Sequence, residues 1–551
     1  MLSRQAIVVV VVFLVLFFVG GGSSRCEAET LETASLHVDY SVARRMPDTL
    51  FGLFFEEINH AGSGGLWAEL VSNRGFEAGA NTSNIDPWSI IGDESSVHVT
   101  TDRSSCFSQN PVAVRIEVVC DDCPAGGVGI YNPGFWGMGH GFRKELMYMF
   151  LDLKPRFLRF PGGCFVEGNW LKNAFRWKET IGPWEERPGH YGDVWHYWTD
   201  DGLGYYELLE DATDSLEFAK GSDKSTWGSV RATMGHPEPF PLKYVALGNE
   251  DCAPFKLIYR ENYPKFYNAI KEAYPDIQII SNCDGSSGPL DHPADLYDYH
   301  IYENASTVFL KKNEFDRTSR NGPKVFVSEY AVNGEDAGNG SLLASLAEAA
   351  FLIGLEKNSD VVQMACYAPL FVNDNDRVWN PDAIVFNSWQ QYGTPSYWMQ
   401  TYFRESSGAM IHPIMISSSY SDLLAASAIT WQDAENTFLR VKIVNFGPNA
   451  VNLTISSSGL QAGVDTAKST VTVLTSSNLL DENSFSEPNK NLEEGNFSIT
   501  KIWSVTIRHA GGMPRICQVV VPVASELPNA AEQMQVLHLP YSICSFDLAL
   551  V

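Results

Sequence analysis

Between Pro155 and Met399, short apolar runs that favour β-strands alternate with helical patterns, and polar residues follow the runs. Alternation at this spacing indicates a parallel sheet with helices packed on it, and the length suits an α/β TIM barrel of the (β/α)8 type. Because the carboxyl ends of barrel strands carry the chemistry, the polar residues that follow the strands are the candidates for a functional site. The predicted strands are Phe51–Phe55, Arg156–Phe160, Lys243–Leu247, Gln278–Ser281, Leu296–His300, Lys324–Glu329 and Val361–Tyr367.

One strand of this barrel has no candidate in the sequence. Between Phe160 and Lys243 the chain has polar loops and one helical pattern, Leu203–Lys220, but no apolar strand. Eight tilted strands close a barrel together, so the loss of one disturbs the pairing of its neighbours. We therefore expect a TIM-type barrel that lacks its third strand.

The first residues have the pattern of a secretory signal peptide. Arg4 precedes an apolar run, Ala6–Val19, and small residues follow it. The run is shorter than the roughly 20 apolar residues that a membrane span needs. We expect a protein that is secreted to the extracellular matrix or cell wall and does not bind membranes. Sequons for N-glycosylation agree with this route and lie at Asn81, Asn304, Asn339, Asn452 and Asn496.

The region after about Ser406 differs from the barrel region, because short alternating strands follow one another there without helical stretches. This pattern predicts a C-terminal all-β sandwich, to which Leu36–Tyr40 adds a strand. Residues between Gly75 and Gly139 are β-like and rich in glycine. The predicted domains are the signal peptide at 1–28, a sandwich strand at 29–50, the start of the barrel at 51–74, a β insertion at 75–139, the barrel at 140–404 and the sandwich at 405–551.

Composition excludes some classes of partner and site. The net charge of −27, from 66 acidic and 39 basic residues, makes nucleic acid an improbable partner. The ten cysteines are too few for a disulfide scaffold, and loss of Cys26 with the signal peptide leaves an odd number, so at least one thiol should be free. No histidine pattern such as H-E-x-x-H suggests a metal, and we expect neither a metal nor another cofactor.

Two glutamates end predicted strands and form the strongest candidate pair. Glu250 follows the predicted fourth strand and Glu329 ends the seventh, so both side chains can face one pocket on the same rim. A lone strand-end glutamate is usually a surface residue in a salt bridge. Asn249 next to Glu250, and the polar residues of His300–Tyr302 between the pair, favour a functional reading. Retaining glycosidases need two carboxyl groups about 5 to 5.5 Å apart, one as nucleophile and one as acid/base.

At these residues the sequence resembles glycoside hydrolase family 51, the α-L-arabinofuranosidases, and most of all the plant branch of that family. The resemblance runs from about Leu36 to Val551. Six segments in order carry it, and they are Phe51–Glu57 (FGLFFEE), Arg159–Cys164 (RFPGGC), Gly182–Pro188 (GPWEERP), Gly248–Glu250 (GNE), His300–Tyr302 (HIY) and Ser328–Ala331 (SEYA).

The resemblance implies a role for each matching residue. Glu250 corresponds to the general acid/base and Glu329 to the nucleophile of an exo-acting enzyme that removes arabinofuranosyl groups from plant cell-wall polysaccharides such as arabinoxylan and arabinan. Asn249 is expected to bind the sugar 2-hydroxyl, Tyr302 to orient Glu329, and Glu56 to bind sugar hydroxyls. The residues left open are Glu57 as the alternative to Glu56, Arg159 and Cys164 as pocket contacts or packing residues, and Trp184 and Trp379 as aromatic walls or core.

The chain departs from the family pattern in two places. Family members of the plant type carry a carbohydrate-binding β insertion after the first barrel strand, and most of it is missing here after Met138. The segment that follows Glu210 lacks the family's third strand. An inactive isoform that at most binds sugar is therefore one alternative. The resemblance leaves a second one open, an enzyme that also cleaves β-D-xylosides, because the two sugars present similar hydroxyl patterns to one pocket.

Overall fold

The computed structural model describes residues 31–62, 143–170, 173–181, 188–199, 208–252, 257–387, 390–486 and 521–551, and parts of the stretch 73–131. The predicted signal peptide, the sequons at Asn81 and Asn496, and Trp184 lie outside these residues. Within them, no helix has the length and apolar character that a membrane crossing requires.

The first part of the described chain contains short strands and few helices. Strand β1 contains mostly buried apolar residues at alternate positions, as expected of a strand with one face on a core. Two antiparallel pairs, β4 with β7 and β5 with β6, lie in the region predicted as a β insertion. The elements are β1 (Glu32–Asp39), β2 (Arg44–Arg45), β3 (Leu53–Phe54), β4 (Ser89–Ile91), β5 (Val97–Asp102), β6 (Ala113–Val118), β7 (Gly129–Tyr131), α1 (Lys144–Asp152), β8 (Leu158–Arg159), α2 (Cys164–Glu167), β9 (His190–Gly192) and β10 (Tyr197–Thr199).

The central part of the chain alternates parallel strands with helices, as the sequence pattern predicts. Buried strand residues such as Ile279, Val325 and Val327 form its sheet, and the helices cover the outside. The elements are α3 (Leu208–Lys220), α4 (Thr226–Thr233), β11 (Tyr244–Leu247), α5 (Leu257–Ala273), β12 (Gln278–Ser281), β13 (Leu296–Glu303), α6 (Ala305–Leu310), β14 (Lys324–Val332), α7 (Leu342–Lys357), β15 (Val362–Ala365), β16 (Phe371–Asn373), β17 (Ile384–Phe386), β18 (Gln391–Gly393) and α8 (Pro395–Gln400).

Seven strands, five from the central part of the chain and two from the first part, form a parallel series. β11, β12, β13, β14 and β15 pair in that order, and β3 pairs with β8. A parallel bridge between Phe51 and Ala365 joins the two groups, so that β8, β3 and β15 follow one another around the curve. In TIM-barrel order, β8, β3 and β15 correspond to the second, first and eighth strands. β14, β13, β12 and β11 then correspond to the seventh, sixth, fifth and fourth strands.

The series is open between β8 and β11. Within the described residues, neither strand has a parallel partner on its far side, and the elements between them in the chain are the β9–β10 hairpin and the helices α3 and α4. The open interval is the one in which the sequence has no strand candidate.

The C-terminal part contains two sheets around one apolar core. β1, β20, β23 and β26 form one sheet, and β2, β19, β21, β22, β24, β25 and β27 form the other. Leu36 of the first sheet and Val441 of the second belong to the same buried cluster. The remaining strands are β19 (Met410–His412), β20 (Ile414–Ser417), β21 (Leu424–Gln432), β22 (Thr437–Asn445), β23 (Val451–Ser458), β24 (Val464–Thr475), β25 (Val523–Glu526), β26 (Gln533–His538) and β27 (Ser542–Leu550).

Helix α7 joins the barrel strands to the C-terminal sheets. It is apolar on nearly all sides, because β14 lies on one side of it and β21 and β22 on the other. Its one acidic residue at this interface, Glu356, is fully buried and forms an ion pair with Lys442 of β22. Ser427 donates a hydrogen bond of 2.6 Å to the other carboxylate oxygen. This paired charge fixes the helix against the second sheet.

Candidate active site

Glu250 lies in the turn that follows β11. Gly248 and Glu250 both have positive φ angles, +86° and +51°, so the chain bends sharply where the strand ends. The Glu250 side chain is 46 % exposed, and His300 Nδ1 lies 2.9 Å from its Oε1. This carboxyl group is therefore accessible to a ligand.

Glu329 lies inside the longer strand β14 and is only 8 % exposed. Arg159 Nη1 donates to its Oε1 at 2.8 Å, and the Tyr302 hydroxyl donates to its Oε2 at 2.6 Å. Charge-assisted hydrogen bonds of this kind stabilise an ionised carboxylate and fix its orientation. Glu329 is thus a rigid, buried carboxylate.

The two glutamates face one another. One carboxylate oxygen of Glu250, Nδ1 of His300 and one carboxylate oxygen of Glu329 all lie within 4.8 Å of one another. His300 Nδ1 is 3.6 Å from Glu329 Oε2, so the imidazole lies between the two carboxylates. The predicted pair is brought together at the short separation that a retaining glycosidase needs.

His300 is held as a cation. Its Nε2 lies 3.0 Å from Oδ2 of the buried Asp298, and Ser328 donates to the other oxygen of that carboxylate. Burial opposes the charge of His300, but Asp298 and Glu329 raise its pKa to about 10. Burial also opposes ionisation of Asp298, whereas His300 and Arg159 lower its pKa to about 2. The hydrogen bond from His300 in turn lowers the pKa of Glu250 against the effect of its partial burial.

This charge state bears on metal binding. Glu250, His300 and Glu329 together have the donor types and spacing that a divalent cation accepts. A histidine binds metal through a neutral ring, however, and both ring nitrogens of His300 face carboxylates as hydrogen-bond donors. A protonated His300 that donates from both ring nitrogens has no lone pair to offer a metal.

Glu56 follows β3 and is buried beside the pair. Its Oε1 accepts hydrogen bonds from the Phe165 backbone N–H at 2.9 Å and from Trp195 Nε1 at 3.1 Å. Burial and the nearby charge of Glu329 raise the pKa of Glu56 to about 8. Glu57, the alternative in the sequence, is also buried and accepts a hydrogen bond of 3.0 Å from Tyr197.

Arg159 connects the strands around the site. Besides Glu329 it reaches Asn249, to whose Oδ1 its Nη2 donates at 2.8 Å, and its guanidinium lies 4.2 Å from the centre of the Phe54 ring. Burial would lower the pKa of Arg159, but the carboxylates of Glu329 and Asp298 raise it above its usual value. Arg159 therefore contacts the site and also packs on the barrel interior.

Cys164 begins α2 at the edge of the pocket. Its Sγ is 3.9 Å from Glu250 Oε2 and 3.7 Å from Asn249 Nδ2. Burial and the nearby carboxylates raise its pKa, so Cys164 is a neutral thiol rather than a nucleophile. Tyr302 is partly buried, and its ring meets Trp379 edge to face at 5.4 Å between centroids.

The sequence analysis did not single out Asp298, Trp195 and Tyr197. Asp298, His300 and Tyr302 alternate along β13, so a period of two in polar residues was the signal that could have identified one polar face. Trp195 and Tyr197 come from the β9–β10 hairpin, whose sequence has no periodic pattern. The described sequon residues Asn304, Asn339 and Asn452 are all exposed, at the start of α6, in a loop and in β23.

Comparison with known proteins agrees with this geometry. The family profile described as "Alpha-L-arabinofuranosidase 1 domain" matches residues 149–211 and 208–320, and "Alpha-L-arabinofuranosidase C-terminal domain" matches residues 328–504. The chain is 50 % identical to "Alpha-L-arabinofuranosidase 1" of Arabidopsis thaliana, over 93 % of this chain and 91 % of that protein. The chain belongs to glycoside hydrolase family 51, the α-L-arabinofuranosidases.

Further relatives support the family 51 assignment. "Alpha-L-arabinofuranosidase 2" of Arabidopsis thaliana is 51 % identical, with 84 % of this chain and 88 % of that protein covered. A solved structure of an arabinose-bound family 51 α-L-arabinofuranosidase superposes with a TM-score of 0.69 at 22 % identity, with 94 % of this chain and all of that chain covered. This likeness gives the fold of the family 51 chain as a TIM-barrel catalytic domain followed by a C-terminal domain.

Proposed function

We propose that this protein is a retaining, exo-acting α-L-arabinofuranosidase that works by double displacement. The observation that carries the proposal is the pair of carboxylates, Glu250 and Glu329, with oxygens within 4.8 Å of each other. This spacing leaves no room for the water that an inverting enzyme places between its general-base carboxylate and the sugar. The names of the relatives supply the sugar, arabinofuranose.

In the first step, Glu329 attacks the anomeric carbon and Glu250 gives its proton to the departing glycosidic oxygen. Arg159 and Tyr302 hold the Glu329 carboxylate in a single orientation for this attack. In the second step, Glu250 takes a proton from water, which attacks the arabinosyl ester and releases arabinose with its configuration retained.

Glu250 must be protonated for the first step, although His300 lowers its pKa in the free protein. A sugar over its exposed face would remove water from the carboxyl group, and desolvation raises the pKa of a carboxyl. Substrate binding thus moves Glu250 toward the protonated form that a general acid needs.

The surrounding residues bind and shape the sugar in this proposal. Asn249, held by Arg159, is placed to bind the 2-hydroxyl, an interaction that strengthens as charge develops at the anomeric carbon. Glu56, protonated near neutral pH, can donate as well as accept a hydrogen bond to sugar hydroxyls. Cys164 supplies a neutral, slightly polar wall beside Glu250.

The test uses p-nitrophenyl α-L-arabinofuranoside and the variants Glu329→Gln and Glu250→Ala. We expect Glu329→Gln to abolish turnover on every substrate, since the ester cannot form. Glu250→Ala should lose most activity on substrates with poor leaving groups but much less on this activated one, and azide should restore turnover by attacking the arabinosyl ester and give an α-configured arabinosyl azide. A folded wild type without turnover, or a first product of inverted configuration, would refute the proposal.

We further propose that the protein is secreted and acts on arabinose-containing polysaccharides of the plant cell wall. The disulfide between Cys252 and Cys283 supports an oxidising compartment. Exposure of Asn304, Asn339 and Asn452 makes these sequons accessible to glycosylation. Mass spectrometry of the protein secreted by plant cells should find residues 1–28 absent and glycans on these asparagines. An intact N-terminus and bare sequons would contradict secretion.

We also propose that the barrel lacks its third strand and that the C-terminal domain is a jelly-roll-like sandwich completed by residues 29–50. The open interval between β8 and β11 supports the first part. The alignment with the Arabidopsis relative runs over 646 positions although this chain has 551 residues, so the relative contains residues that this chain lacks. The family profile also restarts at residues 208–211, where the loss was expected.

Insertion of the relative's third-strand segment between Glu210 and Asp211 tests this proposal. We expect a higher thermal midpoint and a higher turnover, because the unpaired strand edges gain a partner and the pocket gains its missing wall. If the unmodified chain already equals the repaired one in both, another segment fills the gap.

A further inference from the structure

The backbone of the turn that carries Glu250 is in a conformation that needs support. Gly248 and Glu250 have φ angles of +86° and +51°, and residues with a side chain rarely adopt the left-handed region. A Cβ atom at Gly248 would lie 2.6 Å from Cε2 of Tyr259, so that position requires glycine. A non-glycine residue such as Glu250 stays in this region only when neighbouring groups hold it there.

The neighbouring groups belong to the segment that follows β12. A disulfide joins Cys252, two residues after Glu250, to Cys283, and their Cα atoms are 5.0 Å apart. The backbone N–H of Asp251 donates a hydrogen bond of 2.5 Å to Oδ1 of Asn282. The turn after β11 is thus joined to the segment after β12 by one covalent bond, from Cys252, and one hydrogen bond, from Asp251.

A third contact lies beneath the turn. The Tyr259 hydroxyl of α5 donates to the Leu247 carbonyl at 2.7 Å and accepts from the Asn282 N–H at 2.8 Å. It therefore joins the last residue of β11 to the same segment. We call Cys252, Cys283, Asn282 and Tyr259 the clamp.

The clamp acts on one catalytic glutamate and not on the other. β11 is paired with β12 only, within the residues that the structure describes, so the backbone bonds that support the Glu250 turn come from the side of the clamp, and from the other side only side chains such as Arg159 reach it. Glu329 lies within β14, which has β13 and β15 on its two sides. A loss of the clamp should displace Glu250 and leave Glu329 in place.

We propose that the Cys252–Cys283 disulfide and its hydrogen-bonded neighbours position the acid/base Glu250 against the leaving-group oxygen. The proposal rests on the proposed function. Cys252 and Cys283 are positioning residues, since neither has been placed in contact with the reacting atoms. Proton transfer requires the donor within hydrogen-bond reach of the oxygen, so a displaced Glu250 slows the steps that move a proton. Attack by Glu329 on a substrate with a good leaving group does not depend on it.

The test is the double variant Cys252→Ser/Cys283→Ser on two substrates. We expect kcat/KM to fall about tenfold or more on an alkyl α-L-arabinofuranoside, whose leaving group needs a proton, and less than about threefold on the p-nitrophenyl substrate. Azide should increase turnover of the variant on the activated substrate. Equal losses on both substrates, which a general loss of folded protein would give, would overturn the proposal, and so would no loss on either.

Two controls separate positioning from stability. Cys544→Ser makes the same change at a free, buried cysteine of β27 and should leave the ratio of the two kcat/KM values unchanged. Tyr259→Phe keeps the disulfide and the ring but removes both hydroxyl contacts, and it should change the ratio in the same direction by a smaller factor. If the double variant does not fold, this single variant decides, and an unchanged ratio overturns the proposal.

Hydrogen exchange gives a reading that does not need activity. In the double variant, amides of residues 244–252 should exchange faster, while those of residues 324–332 should not change. Unchanged exchange in 244–252 would refute the clamp. If the wild type has no arabinofuranosidase activity, the proposed function is refuted. Hydrogen exchange still tests whether the clamp holds the turn after β11 in place.

Discussion

The raised pKa of Glu56 can be tested by measuring the stability of the protein as a function of pH. It is buried, and burial together with the charge of Glu329 raises its pKa from 4.5 to about 8. Its Oε1 accepts hydrogen bonds from Phe165 and Trp195, which an amide oxygen can accept equally well. The variant Glu56→Gln therefore reproduces the protonated form of the side chain and removes its titration.

The sign and size of the effect follow from the two pKa values. Between pH 4.5 and about 8 the carboxyl group is ionised in the unfolded chain but protonated in the folded one, so raising the pH favours unfolding. Each pH unit in this window costs about 1.4 kcal/mol of folding free energy, which gives roughly 3 kcal/mol at about pH 6.5. The stability that Glu56 contributes is fully present below pH 4.5 and is lost progressively up to about pH 8.

The assay is the thermal midpoint of the wild type and of Glu56→Gln across this pH range. The two should agree at the acidic end and separate as the pH rises, with the variant more stable, and the variant should keep activity within about tenfold. Glu117→Gln, on the exposed strand β6, controls for the loss of one negative charge. A separation that stays constant with pH, or a variant that is less stable at neutral pH, would refute the assignment of Glu56 as a protonated group.

Three further variants test the charges around Glu329 and Glu250. Arg159→Met breaks a buried ion pair, so it should lower the free energy of unfolding by about 3 to 5 kcal/mol and reduce turnover at least about 100-fold. Denaturant unfolding measures the first effect and steady-state kinetics the second. A near-wild-type value of either quantity would contradict the role of Arg159. Tyr302→Phe removes a hydrogen bond to a charged group, worth about 1.5 to 3 kcal/mol, and kcat/KM should fall roughly 10- to 150-fold without a change in thermal midpoint of comparable size. His300→Gln removes the hydrogen-bonded cation that lowers the pKa of Glu250, so the alkaline limb of kcat/KM, which reports loss of the Glu250 proton, should move to higher pH. A limb that stays in place would assign it to another group.

Sequence pattern predicted the strands well because burial on both faces makes a parallel strand an apolar run. β12 has its predicted bounds, whereas β13 and β14 begin at the predicted residues but extend three residues further. β8 is only two residues long, as β2 and β3 are, and the sequence suggested five. Phe160, the last residue of the predicted strand, lies outside β8 and is exposed, and among the described residues β8 pairs only with the equally short β3.

The closeness of Glu250 and Glu329 was predictable from the sequence, whereas the charge state of the groups around them was not. Glu250 and Glu329 each end or lie in a strand whose direction fixes the rim on which they lie. The charge on His300 depends instead on Asp298 and on both glutamates at once, and the sequence gives no distances between them. Contacts made by loops could not be predicted either. Trp195, for example, donates a hydrogen bond to Glu56 from a hairpin whose sequence has no periodic pattern.

The position of the open interval explains how an incomplete barrel series can keep its catalytic pair together. Glu250, His300 and Glu329 follow or lie in β11, β13 and β14, and these strands belong to one uninterrupted run of hydrogen-bonded neighbours. Their relative positions are therefore set by the pairing within that run and do not require the missing neighbour. Within the described residues, β11 and β8 have no partner on the sides that face each other, and across this interval the contact between Arg159 and Asn249 is made by side chains rather than by backbone. The chemistry of the site should therefore be less sensitive to the gap than the fit of the sugar, so insertion of a third strand should lower KM more than it raises kcat, and the opposite result would mean that the gap also displaces the carboxylates.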